Sequence, residues 1–460
     1  VRTILIAAVL AAAPFGAGAQ TAPPAAPDPH VRALAAGYKA AFLCSNLFNA
    51  GMTPEQVAQD DLEGIYPDYQ PLVRTLPADI DREAKTVSVA FDDKLPPRIA
   101  AWRPGLGCSQ LPVGASVDAV GALPKLAAKR PDSASDARAW PDGDRGIAPK
   151  PSGKLKGAVA KAFDSATYGA GTKTTAVVVV KDGKVVAEQY RADFTPHTPQ
   201  RTWSAAKSLT AAVVGRAIQL GLLKVDGPAK IPEWQAPGDP RQKITLAQLL
   251  HMGSGLWTDG PGNRTDEVYV GGALVTQTAT AMPMEAAPGS RFRYANNDTL
   301  LAARSVRAAL GDGQAAIDFP FTELLWKIGM THTTPETDWQ GNYILSSQVW
   351  TTARDLARLG LLHLNDGVWN GERLLPQGWS KYVATPAPAQ PPQGTGYGAF
   401  FWLYGEAQGL PAGTYAMNGN RGQYVFIVPS RNLVVVRRGF DPAGKRFDEA
   451  AFARDVLAAL

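Results

Sequence analysis

Two hydrophobic periods alternate along this chain, and the changes between them mark its parts. Residues 30–51, HVRALAAGYKAAFLCSNLFNAG, space their apolar side chains as a helix does and stop at Gly51. KTVSVAF (85–91) repeats with period two, and RIAAWR (98–103) can pair with it antiparallel. Periodicity then disappears over residues 129–153, KRPDSASDARAWPDGDRGIAPKPSG, whose Pro, Asp, Ser and Gly read as a linker.

Beyond it, TTAVVVVKDGKVVAEQYRADF (174–194) is two strand-like runs around Asp182-Gly183, a strong hairpin signal. The stretch TWSAAKSLTAA (202–212) opens a helix through about Leu220, with Leu209, Val213, Ala217 and Leu220 on its apolar side and Gly221 as its stop. Thr245 is placed to cap a short helix over 245–251, and residues 252–290 read as long loops. Helices are predicted near 297–310, 318–328 and 351–364. YGAFFWLYG (397–405), QYVFIVP (423–429) and NLVVVRRG (432–439) return to strand patterns before a closing amphipathic helix over 445–460. Strands at both ends and helices between them predict an α/β domain: one antiparallel sheet completed by distant parts of the chain, with a helical insertion. No fixed-period repeat is present.

With 460 residues, 45% of them hydrophobic, the chain can bury a full core and holds more than one structural unit. We place the units at 1–19, a leader; 20–145, an N-terminal α+β extension with its linker; and 146–460, the main domain. The leader VRTILIAAVLAAAPFGAGAQ has one basic residue, an apolar run and Ala17-Gly18-Ala19 before Gln20, the pattern of a cleaved secretory signal rather than of a membrane anchor. No later stretch is apolar enough to span a bilayer, so a periplasmic or secreted location is expected. In that setting Cys44 and Cys108, the only cysteines, are expected to form a disulfide rather than remain two separate buried thiols. The net charge of +5 is spread thinly, its densest pair being Arg437-Arg438, and predicts no nucleic-acid partner.

Three motifs carry candidate chemistry. Lys207 follows Ser204 by three residues at a helix start, so its amine can reach the hydroxyl while the helix N-terminus favours negative charge there. Alone, the pair fits a serine N-cap with a solvated lysine better than a nucleophile. Tyr294-Ala295-Asn296 supplies a phenol whose pKa an adjacent ammonium would lower, and an amide able to orient the lysine or a substrate; alone, it is a tyrosine before a helix cap. In MNGNRGQYVFIVP (417–429), Gly419 and Gly422 permit close backbone approach, and the Asn420 N–H could join that of Ser204 as an oxyanion hole; alone, it is a glycine-rich hairpin turn. The five histidines accompany no Gly-x-Ser-x-Gly elbow, no cluster has zinc spacing, and no loop is built to cradle phosphate, so neither metal nor cofactor is expected.

The order Ser-x-x-Lys, Tyr-Ala-Asn about ninety residues later, then a Gly-rich strand entry resembles the serine β-lactamase and penicillin-binding-protein superfamily, in its class C and family VIII esterase branch. ITLAQLLHMGSGL, PGSRFRYANND and LARLGLLHLNDGVWNGERLLP add to the likeness, which covers roughly residues 150–455. It implies a β-lactamase/transpeptidase-like fold. It also implies a serine hydrolase that acylates Ser204, with Lys207 sharing the proton of Tyr294, Tyr294 as general base and acid, and Asn296 as orienting residue. The third motif departs from Lys-Thr-Gly or His-x-Gly by reading Met417-Asn418-Gly419. The cation for a β-lactam carboxylate is therefore missing unless Arg421 substitutes. GNRGQY is more similar to 6-aminohexanoate-dimer hydrolase, an amide hydrolase with esterase activity in which a loop tyrosine assists; Tyr269 is the possible counterpart. The expected substrate is thus a small amide or ester. A class C-like β-lactamase, a D-amino-acid peptidase and a non-catalytic penicillin-binding-like sensor stay open, as does the oligomeric state. The extension is expected to pack on the main domain and narrow its cleft.

Overall fold

The first and last parts of the main domain meet in one antiparallel sheet. The structure is a computed structural model that describes residues 28–258 and 265–460, so the leader and the tract 20–27 lie outside the described residues. In the extension, strands β1 (Ala78–Asp81), β2 (Thr86–Val89), β3 (Arg98–Arg103) and β4 (Gly107–Gln110) follow a helix over Pro29–Ala50, ended by Gly51 in the left-handed conformation, which packs on β2, β3 and β4. These strands form a meander in the order 1-2-3-4, with β2 and β3 paired antiparallel as the alternation predicts.

The main sheet uses β5 (Thr174–Lys181) and β6 (Lys184–Tyr190). A second, small sheet uses β7 (Gln200–Arg201), β8 (Thr334–Pro335) and β9 (Val349–Thr351), and a short hairpin uses β10 (Val368–Trp369) and β11 (Glu372–Arg373). The main sheet is completed by β12 (Gly396–Tyr397), β13 (Trp402–Tyr404), β14 (Thr414–Gly419), β15 (Gln423–Val428) and β16 (Leu433–Gly439), in the order 12-13-14-15-16-5-6. The β5–β6 turn places Asp182 at φ +51° and Gly183 at φ +75°, the double left-handed turn that an Asp-Gly hairpin requires.

Alternation within the valine runs fills two cores. Val177, Val179 and Val435 face Leu155, Val159, Phe452 and Val456 of the helices Gly153–Lys161 and Glu449–Ala459. Val178, Val180, Val434 and Val436 belong to the larger core with the helices Ala206–Gln219 and Ala353–Leu364, and that core continues into the extension through Phe42, Leu43 and Val57.

Two expectations change. YGAFFWLYG is not one strand: β12 and β13 are separated by Phe400 at φ +60°, whose carbonyl accepts a hydrogen bond from Ser208 Oγ at 2.7 Å. The break clamps the helix that follows Ser204. The helix predicted from 318 starts at Gln314 and loosens into a π turn over Phe321–Leu325, directly after Pro320. The stretch read as a linker is held to the main domain throughout. Trp140 Nε1 donates to the Gly183 carbonyl at 2.8 Å, Asp142 accepts from Trp369 Nε1 at 2.8 Å, and Asp144 pairs with Arg354 at 2.9 Å and Arg358 at 2.6 Å. Its polar composition therefore reflects ion pairing as well as solvation.

Cys44 on the first helix and Cys108 on β4 are joined by a disulfide across 64 residues. Beside it, buried Glu336 of the main domain accepts from Ser45 Oγ (2.7 Å), Asn49 Nδ2 (2.9 Å) and the Cys108 N–H (2.9 Å), which docks the bridged unit. Closing a loop of that length constrains the unfolded chain by about 4 kcal/mol. We predict that Cys44→Ala/Cys108→Ala lowers unfolding free energy by about that amount in denaturant titrations. Equal midpoints for variant and wild type would show that the bridge contributes nothing.

Candidate active site

Ser204 sits in a single 3-10 turn, Trp203–Ala205, that runs into the helix Ala206–Gln219. The turn is sharp: Trp203 has φ +49°, which a bulky residue rarely adopts. One helical turn on, Lys207 is 1% exposed, and its Nζ donates to three oxygens: Ser204 Oγ at 3.1 Å, Asn296 Oδ1 at 2.6 Å and the Ser346 carbonyl at 3.0 Å. No carboxylate pairs with it among the described residues. Burial alone lowers its pKa from 10.5 to about 7.

Tyr294 immediately precedes the helix Asn296–Ala309, and that placement carries Asn296 under the amine. The Tyr294 ring lies 4.9 Å from Lys207 Nζ, stacks on Trp402 at 5.6 Å and lines the same cleft as Ser204. Burial raises the phenol's pKa, whereas the sequence reading expected an adjacent ammonium to lower it. The same desolvation makes the amine, not the phenolate, the proton-free group near neutrality.

The end of β14 closes over the nucleophile turn. A Cβ on Gly419 would lie 2.2 Å from the Thr202 carbonyl oxygen and 3.1 Å from Ala205 N, so only glycine fits. Ser204 and Tyr294 thus open into a cleft of about 540 Å³ with Gly419, Asn420, Trp402 and Tyr424 on its walls and Lys445 and Arg446 at its rim.

Two residues named from the sequence stand elsewhere. The Arg421 backbone lines the cleft, but its guanidinium is buried and donates to the carbonyls of Asp60 (2.6 Å), Asp61 (3.0 Å) and Glu63 (2.9 Å) in the extension. It is not available to a substrate carboxylate. Tyr269 is buried outside the cleft, with its hydroxyl 2.5 Å from Ser346 Oγ, behind the carbonyl that holds Lys207. Ser346 escaped the sequence reading because it serves through its backbone, which leaves no side-chain signature. Thr265, whose side-chain Oγ1 accepts from Asn296 Nδ2 at 3.0 Å, was missed for a different reason: it belongs to no motif and meets Asn296 only in the fold.

Asp136, His197 and His332 offer donor atoms within 4.8 Å of one another, the geometry from which a metal site can be built. Each imidazole already has a carboxylate partner: His197 bonds Asp144 at 2.7 Å and His332 bonds Asp136 at 3.0 Å. The rings stack parallel, 6° apart, so a metal could lie in the plane of both only if one ring turned. None of the three lines the Ser204 cleft.

Residues 159–458 match the family model described as Beta-lactamase. This chain belongs to that family. It is of the serine-hydrolase type, and its members include relatives of several named activities. The chain is 26% identical over 299 residues to 6-aminohexanoate-dimer hydrolase of Paenarthrobacter ureafaciens, spanning 58% of this chain and 72% of that one. Among solved structures it resembles a family VIII carboxylesterase (TM-score 0.54, 16% identity, 67% of this chain and 97% of that one). It also resembles a penicillin-binding protein homologue from Caulobacter crescentus (TM-score 0.53, 17% identity, 68% of this chain and 99% of that one). These likenesses establish the β-lactamase/transpeptidase-like fold that the three motifs implied.

The buried amine predicts a pH signature. Lys207 holds its proton up to about pH 7 in the folded chain and up to about 10.5 in the unfolded one. Between those values the unfolded state binds more protons, so the residue's destabilising effect is full below pH 7 and fades as pH rises. Relative to wild type, Lys207→Met should therefore be most stable at pH 6 and lose that advantage progressively towards pH 10 in parallel thermal melts. A stability difference independent of pH would mean that Lys207 titrates normally.

Proposed function

We propose that this protein is an exported serine hydrolase that cleaves amide or ester bonds of small substrates through an acyl-enzyme on Ser204. The observation that carries the reading is the contact between Ser204 Oγ and a buried amine whose pKa is brought to about 7. A serine hydroxyl needs a base within hydrogen-bond reach, and a base is most effective with a pKa near the working pH.

Ser204 Oγ attacks the substrate carbonyl carbon and passes its proton to neutral Lys207. The resulting oxyanion takes hydrogen bonds from the Ser204 and Asn420 N–H groups. Tyr294 gives its hydroxyl proton to the leaving nitrogen or oxygen and is reprotonated from the Lys207 ammonium as the carbon–leaving-group bond breaks. Water then attacks the acyl-enzyme by the same steps in reverse order, and Ser204 recovers its proton. Asn296 and the Ser346 carbonyl aim the amine, and Tyr269 supports Ser346 from behind. No cofactor enters the scheme.

The similarity to 6-aminohexanoate-dimer hydrolase favours a linear amide, and the Trp402 and Tyr424 walls suit an extended, partly apolar acyl or leaving group. With the Arg421 guanidinium spent on the extension, the cleft keeps no buried cation beside Gly419 for a β-lactam carboxylate among the described residues, so β-lactam turnover is expected to be poor. The leader-like N-terminus and the disulfide support export.

The test is hydrolysis of p-nitrophenyl butyrate by wild type and Ser204→Ala, with intact mass recorded, followed by panels of amides and β-lactams. Wild type should turn over and the variant should fall by a factor of about 10³ or more. The rate should rise with pH along a limb near pH 7 as Lys207 loses its proton. Stable acylation without turnover would make the protein an acyl-binding sensor. Equal activity in the variant would remove Ser204 from the mechanism.

A further inference from the structure

We infer that the N-terminal extension is part of the catalytic apparatus: it holds both backbone turns that supply the oxyanion donors, and Arg421 is the positioning residue for one of them. The inference rests on the Ser204 reading above. The family match begins only at residue 159, so this role belongs to a part of the chain outside the matched region.

The two turns share an unusual property. Each carries a large residue in the left-handed backbone region next to a proposed donor: Trp203 at φ +49° before Ser204, and Arg421 at φ +57° after Asn420. Non-glycine residues persist there only where their surroundings hold them. In both cases the side chain is gripped by the extension.

The Arg421 guanidinium reaches 360 residues back to accept a place among three carbonyl oxygens of the 60–63 turn, with the Asp61 carboxylate at 3.6 Å. Asp61 is itself fixed by Asn46 Nδ2 of the first helix at 2.8 Å. Such a cage matches the donor fork of arginine and would be poorly filled by lysine. At the other turn, the Trp203 ring touches the ring of Phe42 on the first helix (centroids 5.8 Å apart), and the Arg201 guanidinium lies against both, 3.9 Å from Trp203 and 4.5 Å from Phe42. Arg201 Nη2 also donates to Ser347 Oγ at 2.8 Å, next to the carbonyl that holds Lys207. The spacing between the two N–H groups is therefore set jointly by the main sheet and by a unit more than a hundred residues upstream.

Arg421→Gly suits the test because glycine adopts the left-handed turn without strain while the pin is lost. Hydrogen exchange on the substrate-free protein reads the pin itself: amides of 420–422 should exchange at least about tenfold faster in the variant, while β15 and β16 stay protected. Turnover of p-nitrophenyl butyrate reads the consequence. A donor displaced by about 1 Å should cost roughly 100-fold in kcat with KM little changed, and affinity for a boronic acid that forms a tetrahedral Ser204 adduct should fall in parallel. Added guanidinium ion should restore part of the rate, and Arg421→Lys should not.

Phe42→Ala, which keeps Arg421, should lower kcat through the other turn, and it serves as the second variant if Arg421→Gly does not fold. Unchanged exchange at 420–422, or unchanged kcat in both folded variants while Ser204→Ala is inactive, would overturn the inference. If Ser204→Ala is as active as wild type, the catalytic reading falls, and the exchange result still decides whether the extension holds the turn.

Discussion

An amine buried without a counter-charge among the described residues is the constraint on which this site depends. Lys207 is surrounded by a hydroxyl, an amide oxygen and a peptide carbonyl, all of them neutral acceptors. Neutral acceptors satisfy its N–H groups without stabilising the ammonium as a carboxylate would. An aspartate at position 296 would keep the donor geometry and raise the amine's pKa, removing a base near pH 7. The asparagine is thus a statement about charge as much as about shape. Packing does the rest: the Tyr294, Trp402 and Tyr397 rings exclude water above the amine, and the Phe400 carbonyl clamps the helix beneath it through Ser208.

The same logic, charge buried only where oxygens are already in place, organises the scaffold around the site. The two adjacent basic residues at the end of β16 are both interior. Arg437 pairs with Asp441 and donates to the Gly422 carbonyl at 2.9 Å, which braces the turn carrying Asn420. Arg438 donates to the carbonyls of Thr351, Gln200 and Arg201 and to Gln423 Oε1, tying the main sheet to the strand that leads into Ser204. Burial lowers its pKa to about 9, yet it keeps its charge at neutral pH because four oxygens replace water. A feature that in composition contributes only to a mildly basic chain is, in the fold, the bracket between sheet and nucleophile.

Local signals in the sequence were sufficient where chemistry and conformation are local. Asp182-Gly183 dictates its hairpin, Gly51 its helix end, and Ser204 with Lys207 its one-turn pairing. Tyr294 and Asn296 were legible as a motif because both act through side chains at fixed spacing. Three things were not legible. The Phe400 break depends on contacts with Ser208 and Leu250, far away in sequence. The direction of the Tyr294 pKa depends on burial, which the expected ammonium neighbour does not reveal. The destination of the Arg421 guanidinium depends on a turn 360 residues distant. In each case the deciding partner is non-local, and a position in the chain carries no record of which distant surface it will meet.

The two left-handed residues beside the cleft sharpen that point. Glycine at either would have built the turn at lower conformational cost, and the chain uses glycine freely at other left-handed positions, including Gly422 directly after Arg421. A tryptophan and an arginine there make sense only if their side chains contribute more than the backbone strain costs, and both contribute by contact with the extension. Strain of this kind persists where the surroundings over-determine a conformation. The disulfide and the Glu336 cluster supply that over-determination by fixing the first helix and β4 as one body against the main domain. The extension is thereby coupled to the nucleophile turn through packed side chains, and rigidity at Cys44–Cys108 becomes a property of the cleft.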